Sequence, residues 1–450
     1  MKAYLKCIIP SCDFRESIYK EITECPKCGN LLDVAYEDQD PTSFKELFDC
    51  RKRNAKKIFD KSGVWRYREL LPFPFEHENP EKILVSLDGK EGQSSPFHLT
   101  EVAKYVGIRS EDFYLQSEGE NPTGSFKDNG MAAAFTHAKM LNREKVVCAS
   151  TGNTSASMAA FAANELGNIK AIIFIGSGKI SMGKLAQSLE YGAKVIQIKG
   201  DFDDAMAKVI EVAAKENLYV MNSINPFRLE GQKTMMYRLL EGLDWKVPDW
   251  VVCPGGNLGN SSAFGKAFYE LKSLGLIDKM PRIAVINAKG ADTLYRLYNQ
   301  EGLRWNKGSV DFEKIKKFYE NMDKENRRAS TLASAIEINR PVNLIKTLRA
   351  LELTNGVVEE VEDMDMLDAK AIVGRNGFGC EPASAASVAG IKKLVEKGVI
   401  KQTEVVVGIM TGHQLKDPKV TIEYHTGNNK YSNKPIEVEN SAEDIIKALN

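Results

Sequence analysis

A single lysine, Lys127, lies in a run of turn-forming residues, GENPTGSFKDNGM (119–131), just before the helical pattern AAAFTHAKM. A lysine at the start of a helix lies beside the positive end of the helix dipole, which lowers its pKa and favours the neutral amine. The neutral amine is the form that condenses with an aldehyde to give a Schiff base. Most lysines are solvated surface residues, so this prediction depends on the motifs that accompany Lys127.

A second candidate site is the stretch STGNTSAS (150–157), which lies between a β-branched run and a helical pattern. Its small residues allow backbone N–H groups and hydroxyls to converge on an anion at a helix N-terminus. A carboxylate or a ring oxygen suits such a position. The alternative is an ordinary Ser/Thr/Asn helix cap, which is common in proteins. This stretch alone does not decide between the two.

The stretch PGGNLGN (254–260) also connects a β-rich run to a helical pattern, and its glycines permit close approach of the backbone to a phosphate. A dinucleotide site would place an acidic residue about 20 positions later, after the next strand. Asp278, in GLIDKMPRIAV, instead precedes its strand. The sequence therefore predicts a phosphate-binding loop and argues against a Rossmann cofactor site.

Four of the eight cysteines, Cys7, Cys12, Cys25 and Cys28, lie in the first 28 residues. Their spacing, Cys-x4-Cys and then Cys-Pro-Lys-Cys-Gly, can present four thiolates tetrahedrally to zinc. The second half is typical of a zinc knuckle and the first half is looser, so a structural zinc ribbon and a metal-free remnant both stay open. No histidine has ligand-like spacing, and we expect structural roles for His77, His98, His137 and His425 and a loop-ordering role for His413.

The elements that must position these motifs alternate between short β-branched runs and longer amphipathic runs from about 145 to 290. Examples are AIIFIG followed by SMGKLAQSLEYG, and KVIQIKG followed by DDAMAKVIEVAAKEN (203–217). This alternation predicts parallel sheets covered on both faces. It returns in EPASAASVAGIKKLVEKG and TEVVVGIMTG, so one sheet is expected to draw strands from distant segments. The charged stretch from about 303 to 330 suggests a surface insertion, and the segment after Pro418 lacks strong periodicity.

The composition excludes several functional classes. The chain has 450 residues with 61 basic and 61 acidic side chains, so no net field favours nucleic acid or an acidic membrane. The apolar runs are well short of the ~20 residues that span a bilayer, and the N-terminus does not resemble a secretory signal. We expect a cytoplasmic protein with reduced thiols, a small-molecule substrate, and a homodimer as the simplest assembly.

The motifs GENPTGSFKDNGM, STGNTSAS, NSINPFRLEGQKT, PGGNLGN, CEPASAAS and MTGHQLKDP together resemble those of the threonine synthases, which are fold-type II pyridoxal-phosphate enzymes, and they occur in the same order. The resemblance covers about residues 85 to 418, and the linked set is far more specific than any one motif. It implies an α/β fold of the tryptophan synthase β type. Two three-layer domains with parallel-rich sheets would follow a small N-terminal segment that resembles a zinc ribbon.

The resemblance also implies domain boundaries. They are an N-terminal segment at 1–35, a large cofactor-binding domain at 36–115 and 229–418 with an insertion at about 303–330, a small substrate-side domain at 116–228, and a C-terminal tail at 419–450.

The same resemblance assigns roles to individual residues. Lys127 would be the Schiff-base lysine and the catalytic residue, Asn153 would lie beside the ring hydroxyl of the cofactor, and Thr411 would hydrogen-bond the pyridine nitrogen. The cofactor phosphate would bind a loop formed by Gly255, Gly256, Asn257, Leu258 and Gly259. Substrate would be bound by Thr151, Thr154, Ser223 and Arg228.

Arginine suits a substrate phosphate because its planar fork matches two phosphate oxygens. Its alternative role here is a structural salt bridge with Glu230 or another acid.

The implied activity is that of a lyase in threonine biosynthesis. The enzyme would eliminate phosphate from the γ-carbon of O-phospho-L-homoserine and add water at the β-carbon to give L-threonine. The alternatives are another fold-type II enzyme, such as a threonine dehydratase or a cysteine or cysteate synthase, and a catalytically silent paralogue that binds a metabolite.

The sequence departs from the family pattern at two places. Asn129 stands where SFKDRG-type motifs usually carry arginine, and the segment SLDGKEGQSSPF (86–97) is longer than its usual counterpart. We expect the first departure to alter a contact behind the site and the second to alter the entrance of the site.

Overall fold

The computed structural model describes residues 3–37, 43–73, 82–176, 182–199, 208–209, 211–213 and 215–449. His77 and much of the helical pattern predicted at 203–217 lie outside these ranges.

In the described residues, the strands in chain order are β1 (Ala3–Cys7), β2 (Arg15–Ser17), β3 (Leu32–Tyr36), β4 (Pro96–Phe97), β5 (Phe113–Ser117), β6 (Lys145–Ala149), β7 (Lys170–Gly176), β8 (Lys194–Ile198), β9 (Tyr219–Val220), β10 (Trp250–Pro254), β11 (Arg282–Ala288), β12 (Val357–Val361) and β13 (Val406–Met410).

The helices of the same ranges are α1 (Phe44–Arg53), α2 (Ile58–Lys61), α3 (Thr100–Val106), α4 (Lys127–Met140), α5 (Asn153–Ala163), α6 (Met182–Glu190), α7 (Pro226–Gly242), α8 (Gly259–Ser273), α9 (Thr293–Tyr295), α10 (Phe312–Lys324), α11 (Leu344–Leu353), α12 (Asp363–Arg375), α13 (Pro382–Glu396), α14 (Pro418–Thr426) and α15 (Ala442–Leu449). None of them is long and apolar enough to cross a membrane.

The larger sheet has the strand order β12-β11-β10-β13-β5-β4, in which only β4 pairs antiparallel. Every residue of β10 and of β13 is buried. Alternate residues of β10 face two different apolar clusters: Val251 and Cys253 lie in one, and Trp250 and Val252 lie in the other. A parallel sheet covered on both faces is what such continuous apolar runs predict, and the expected fold class is confirmed.

Strand β13 confirms that this sheet draws on distant segments. It pairs with β5, about 290 positions earlier, through Val406 opposite Phe113, and with β10 through Val406 opposite Trp250. The carboxyl ends of β10, β13 and β5 therefore meet at one edge of the sheet, where ligands bind in open α/β folds.

The smaller sheet is fully parallel, with the order β8-β7-β6-β9. Helices α4 and α5 pack against each other, and α4 packs on α7, which carries the chain from β9 to the larger sheet. Lys127 and Asn153 are the first residues of α4 and α5, and Arg228 lies in the first turn of α7.

The N-terminal strands form a separate antiparallel sheet with the order β2-β1-β3. It contacts α11 through Asp33, whose carboxylate lies 2.6 Å from Arg349 and 3.1 Å from Lys346. In the insertion predicted at about 303–330, residues 312–324 form α10. Beyond Pro418, where the sequence lacks strong periodicity, the chain forms α14 and α15, and α15 has no buried residue.

Candidate active site

Lys127 is the first residue of α4, as its sequence context predicts. The turn before it is bound by the segment that follows β13: the Phe126 amide donates to the Thr411 carbonyl at 3.0 Å, and Ser125 pairs with Gly412. Burial, together with the positive charge of Arg228, lowers the pKa of Lys127 to about 7. The amine is therefore largely neutral at slightly alkaline pH, which is the nucleophilic form.

Asp128 stabilises the same turn through hydrogen bonds. Its buried carboxylate accepts hydrogen bonds from the Thr123 hydroxyl at 2.6 Å, the Thr123 amide at 2.8 Å and the Ser157 hydroxyl at 2.6 Å. Burial raises its pKa, and these three donors oppose that effect. The carboxylate thereby joins the starts of α4 and α5, so that the GENPTGSFKDNGM turn and the STGNTSAS stretch keep a fixed separation.

Asn153, the first residue of α5, lies against Glu381, the residue that precedes α13. Nδ2 of Asn153 is 3.1 Å from Oε1 and 3.0 Å from Oε2 of Glu381, while Oδ1 of Asn153 is buried and has no partner among the described residues. The Thr411 hydroxyl is 3.0 Å from Oγ of Ser384 and 3.5 Å from Oε1 of Glu381. The resemblance placed Asn153 and Thr411 beside the same cofactor ring. In the structure both side chains contact Glu381.

The glycine loop follows β10 and ends at the start of α8. Leu258 adopts a left-handed conformation, with φ of 63°. A Cβ at Gly255 would lie 2.7 Å from Nδ2 of Asn287, and a Cβ at Gly256 would lie 3.1 Å from Ile336. Side chains at these two positions would collide with neighbouring residues, so glycine is what allows the loop backbone to pack this closely.

Asn343 connects this loop to the NSINPFR stretch. Its amide donates to the Asn257 carbonyl at 3.2 Å, and its Nδ2 lies 3.1 Å from the Ser223 carbonyl. The predicted phosphate loop and the predicted substrate residue Ser223 are thus brought together by a residue that sequence reasoning did not identify. Ser223 itself is partly accessible, as are Thr151 and Thr154 at the start of α5.

Arg228 is buried in the first turn of α7 and donates from Nη1 to the Met221 carbonyl at 2.8 Å. Its Nε and Nη2 have no partner among the described residues. Burial lowers its pKa to about 10. The alternative of a salt bridge with Glu230 is wrong, because Glu230 pairs with Lys233 at 2.6 Å and with Lys266. A buried guanidinium with free donors is suited to bind an anion.

Two buried charged residues of the site were missed from the sequence. Nζ of Lys184, on α6, lies 3.0 Å from Oγ of Ser334, 3.3 Å from Asp417 and 3.7 Å from Glu381. Both Lys184 and Glu381 are close enough to Lys127 to influence its pKa, in opposite directions. Glu381 lies in CEPASAAS, a motif recognised for its family pattern, but no spacing in the sequence links it to Asn153.

The two departures from the family pattern converge on Glu118. Nδ2 of Asn129 lies 2.8 Å from Oε2 of this buried carboxylate, and Arg238 pairs with Glu118 at 2.8 Å. In segment 86–97, Ser94 donates to the same carboxylate at 2.5 Å, and the Gly92 amide donates to Asn121 at 2.8 Å. Asn129, Ser94 and Arg238 thus share the Glu118 carboxylate.

The four N-terminal cysteines come together at one end of the β1-β3 sheet. Their Sγ atoms all lie within 4.8 Å of one another, with 3.4 Å between Cys7 and Cys28 and 3.6 Å between Cys12 and Cys25. A tetrahedral thiolate site with a Zn–S distance of about 2.3 Å places its sulfurs about 3.8 Å apart. The sulfur positions are compatible with that geometry, and all four side chains are free thiols.

Comparison with known proteins identifies the family of the chain. Residues 88–412 match the family model described as pyridoxal-phosphate dependent enzyme. The chain is 40% identical over 433 residues to a threonine synthase of Methanocaldococcus jannaschii, covering 95% of this chain and 96% of the relative. It is 35% identical to threonine synthase 2, chloroplastic, of Arabidopsis thaliana, covering 95% and 81%.

Among solved structures, an O-ureido-L-serine synthase mutant matches with a TM-score of 0.58 at 14% identity, covering 80% of this chain and 96% of the other. Maize serine racemase matches with a TM-score of 0.56 at 19% identity, covering 71% and 88%. At these identities the likeness concerns the fold alone.

Proposed function

Because the chain belongs to the pyridoxal-phosphate-dependent enzyme family, and within it to the threonine synthases, we propose that it converts O-phospho-L-homoserine and water into L-threonine and phosphate. The observation that supports the substrate assignment is Arg228, a buried cation close to Lys127 with two donor groups that have no partner in the described part of the chain. A substrate that brings its own γ-phosphate supplies the anion that this guanidinium lacks.

The described residues fit pyridoxal phosphate. The loop from Gly255 to Gly259 offers a backbone cradle for the phosphate, and Oδ1 of Asn153 offers a buried acceptor for the ring hydroxyl. The Thr411 hydroxyl can hydrogen-bond the ring nitrogen, but a neutral hydroxyl cannot hold that nitrogen protonated as an aspartate would. When bound, the cofactor delocalises negative charge that develops at the substrate carbons, and with this partner its electron sink is weaker.

Lys127 is proposed to hold the cofactor covalently and, once released by the amino group of the substrate, to transfer protons. Its lowered pKa leaves the released amine neutral near pH 7 to 8, so it can accept the α-proton. A β-proton must also be removed before the C–O bond to phosphate breaks at the γ-carbon. Nζ of Lys127 is the base proposed for both steps. It would pass the α-proton on to the cofactor-bound substrate, and so become neutral again, before it accepts the β-proton.

The other substrate contacts are proposed from the positions of the candidate residues in the structure. Arg228 and Ser223 would bind the γ-phosphate, while Thr151 and Thr154, at the N-terminus of α5, would bind the substrate carboxylate. Two anionic ends held by different elements would align the α- and β-carbons with Lys127. Orientation of this kind is a major source of catalysis.

Each rival would leave either the buried Arg228 or the lowered pKa of Lys127 without a use. A dehydratase or a β-replacing synthase acts on a substrate without a γ-phosphate, so a buried Arg228 with free donors would remain unpaired. A buried, uncompensated charge is costly. A silent paralogue would not need the low pKa of Lys127 or the carboxylate of Asp128 that fixes its turn.

We also propose that Cys7, Cys12, Cys25 and Cys28 bind one structural zinc ion. Four thiolates would close the coordination shell and leave no position for water, so the metal would take no part in the reaction. Free thiols of this kind persist in a reducing compartment, in agreement with the proposed cytoplasmic location.

The first test of the proposed activity is the stoichiometry of the reaction. Purified protein loaded with pyridoxal phosphate should release phosphate and form threonine from O-phospho-L-homoserine in a one-to-one ratio. Formation of 2-oxobutyrate or of a β-substituted product in place of threonine would support a rival.

A further inference from the structure

A cleft of about 830 Å³ lies between the N-terminal sheet and the helices α8 and α11 of the large domain. It is separate from the candidate active site, and the cysteine cluster lies at its rim. One wall comes from β1 and β3, the opposite wall from Lys266, Tyr269 and Glu270 on α8 and from Arg349 on α11. Clefts of this volume accommodate small organic ligands.

Four cations line the cleft: Lys6, Arg15, Lys266 and Arg349. The acids of the lining already have basic partners. Asp13 pairs with Lys27 at 2.6 Å, Asp33 pairs with Arg349 at 2.6 Å, and Glu270 pairs with Lys266 at 3.1 Å.

Two of these acids also pair with a second basic residue: Asp33 with Lys346 at 3.1 Å, and Glu270 with Lys233 at 2.6 Å. No acidic group of the described residues lies within ion-pair distance of Lys6 or Arg15. The cleft therefore has a surplus of positive charge.

Aromatic side chains form part of the cleft walls, together with aliphatic ones. Tyr4, Tyr36, Tyr269 and Trp305 line the cleft, and Arg15 lies over the ring of Tyr4 at 4.8 Å from its centroid. The Tyr36 hydroxyl donates a hydrogen bond to Glu230 and accepts one from Nζ of Lys233 at 3.1 Å. Rigid aromatic walls with a few fixed polar groups are typical of sites for organic ligands.

We propose that this cleft binds a small aromatic anion, with Lys6 and Arg15 holding the anionic group and the tyrosines and Trp305 contacting the ring. The proposal does not depend on the catalysed reaction. Its location gives a ligand there direct contact with α8, which begins at Gly259 of the phosphate loop, and with α11, which follows Asn343.

The probe for this site is 8-anilinonaphthalene-1-sulfonate, titrated calorimetrically into the full-length, cofactor-loaded protein. N-phenyl-1-naphthylamine, which has the same rings without the sulfonate, is the matched probe. The test variant is Lys6→Gln with Arg15→Gln. The control variant is Lys145→Gln with Lys170→Gln, which removes two exposed lysines that face each other on β6 and β7. Metal content and melting temperature of each variant verify that the N-terminal segment is intact.

We expect the sulfonate probe to lose tenfold or more in affinity in the Lys6/Arg15 variant and to keep its affinity in the Lys145/Lys170 variant. The neutral probe should bind both variants and the unchanged protein equally. In the unchanged protein, raising the salt concentration should weaken only the sulfonate probe. Equal sulfonate affinity in all three proteins, equal loss in both variants, or no binding at all would overturn the proposal.

Discussion

Nδ2 of Asn153 lies 3.1 and 3.0 Å from the two carboxylate oxygens of Glu381. An ionised carboxylate only accepts hydrogen bonds, so this contact fixes the orientation of the amide and turns Oδ1 of Asn153 away from Glu381. The proposed acceptor for the cofactor's ring hydroxyl is therefore positioned by a residue 228 places further along the chain.

The first prediction follows from that contact. Asn153→Ala and Glu381→Gln should each weaken retention of pyridoxal phosphate, because one removes the acceptor and the other releases its orientation. The double variant should lose about 0.5–3 kcal/mol less than the sum of the two single losses, as coupled neighbours do. The measurement is the cofactor dissociation constant of all four proteins. Strictly additive losses would show that Glu381 does not act through Asn153.

The second prediction concerns the pH dependence of cofactor attachment. The pKa of Lys127 is about 7 in the folded protein. Below that pH the amine is protonated and cannot attack an aldehyde, and above it the neutral amine predominates. The rate at which apoprotein incorporates pyridoxal phosphate should therefore rise with pH around a midpoint near 7 and then level off. With free lysine the rate should keep rising and should not level off below about pH 9. A midpoint above 9 for the protein would contradict the buried environment of Lys127.

The third prediction separates substrate binding from cofactor binding at Arg228. Arg228→Ala should raise the KM for O-phospho-L-homoserine tenfold or more, since a charged hydrogen bond contributes about 1.5–3 kcal/mol. Binding of L-threonine, which lacks the phosphate, serves as the control and should be unchanged. Loss of cofactor retention without a change in KM would assign Arg228 to the cofactor site.

Sequence reasoning identified the parts of the site that are local in the chain. Lys127 and the loop 254–260 follow from turn residues next to a strand or a helix, and the parallel sheets follow from alternating runs. Glu381, Lys184 and Asn343 were missed because their roles depend on contacts between distant segments. The same limit explains the wrong alternative for Arg228: its neighbour in sequence, Glu230, faces the N-terminal segment.

The fourth prediction concerns the metal. Protein purified without chelators should contain one zinc per chain, bound by the four cysteines. Removing it should lower the melting temperature and loosen residues 3–36, because a segment this short has little core of its own. The absorbance of bound pyridoxal phosphate should not change. Zinc well below one per chain would reject the site, and loss of cofactor absorbance would show that the two sites are coupled.

The central claim is that phosphate leaves by cleavage of the C–O bond at the γ-carbon and that water adds at the β-carbon. The most direct test is turnover of O-phospho-L-homoserine in water enriched in oxygen-18, with Lys127→Ala as the inactive control. We predict one labelled oxygen in the hydroxyl of threonine and none in the phosphate released by the enzyme. Unlabelled threonine, or labelled phosphate released together with homoserine, would contradict the claim, because the second result is that of a phosphatase.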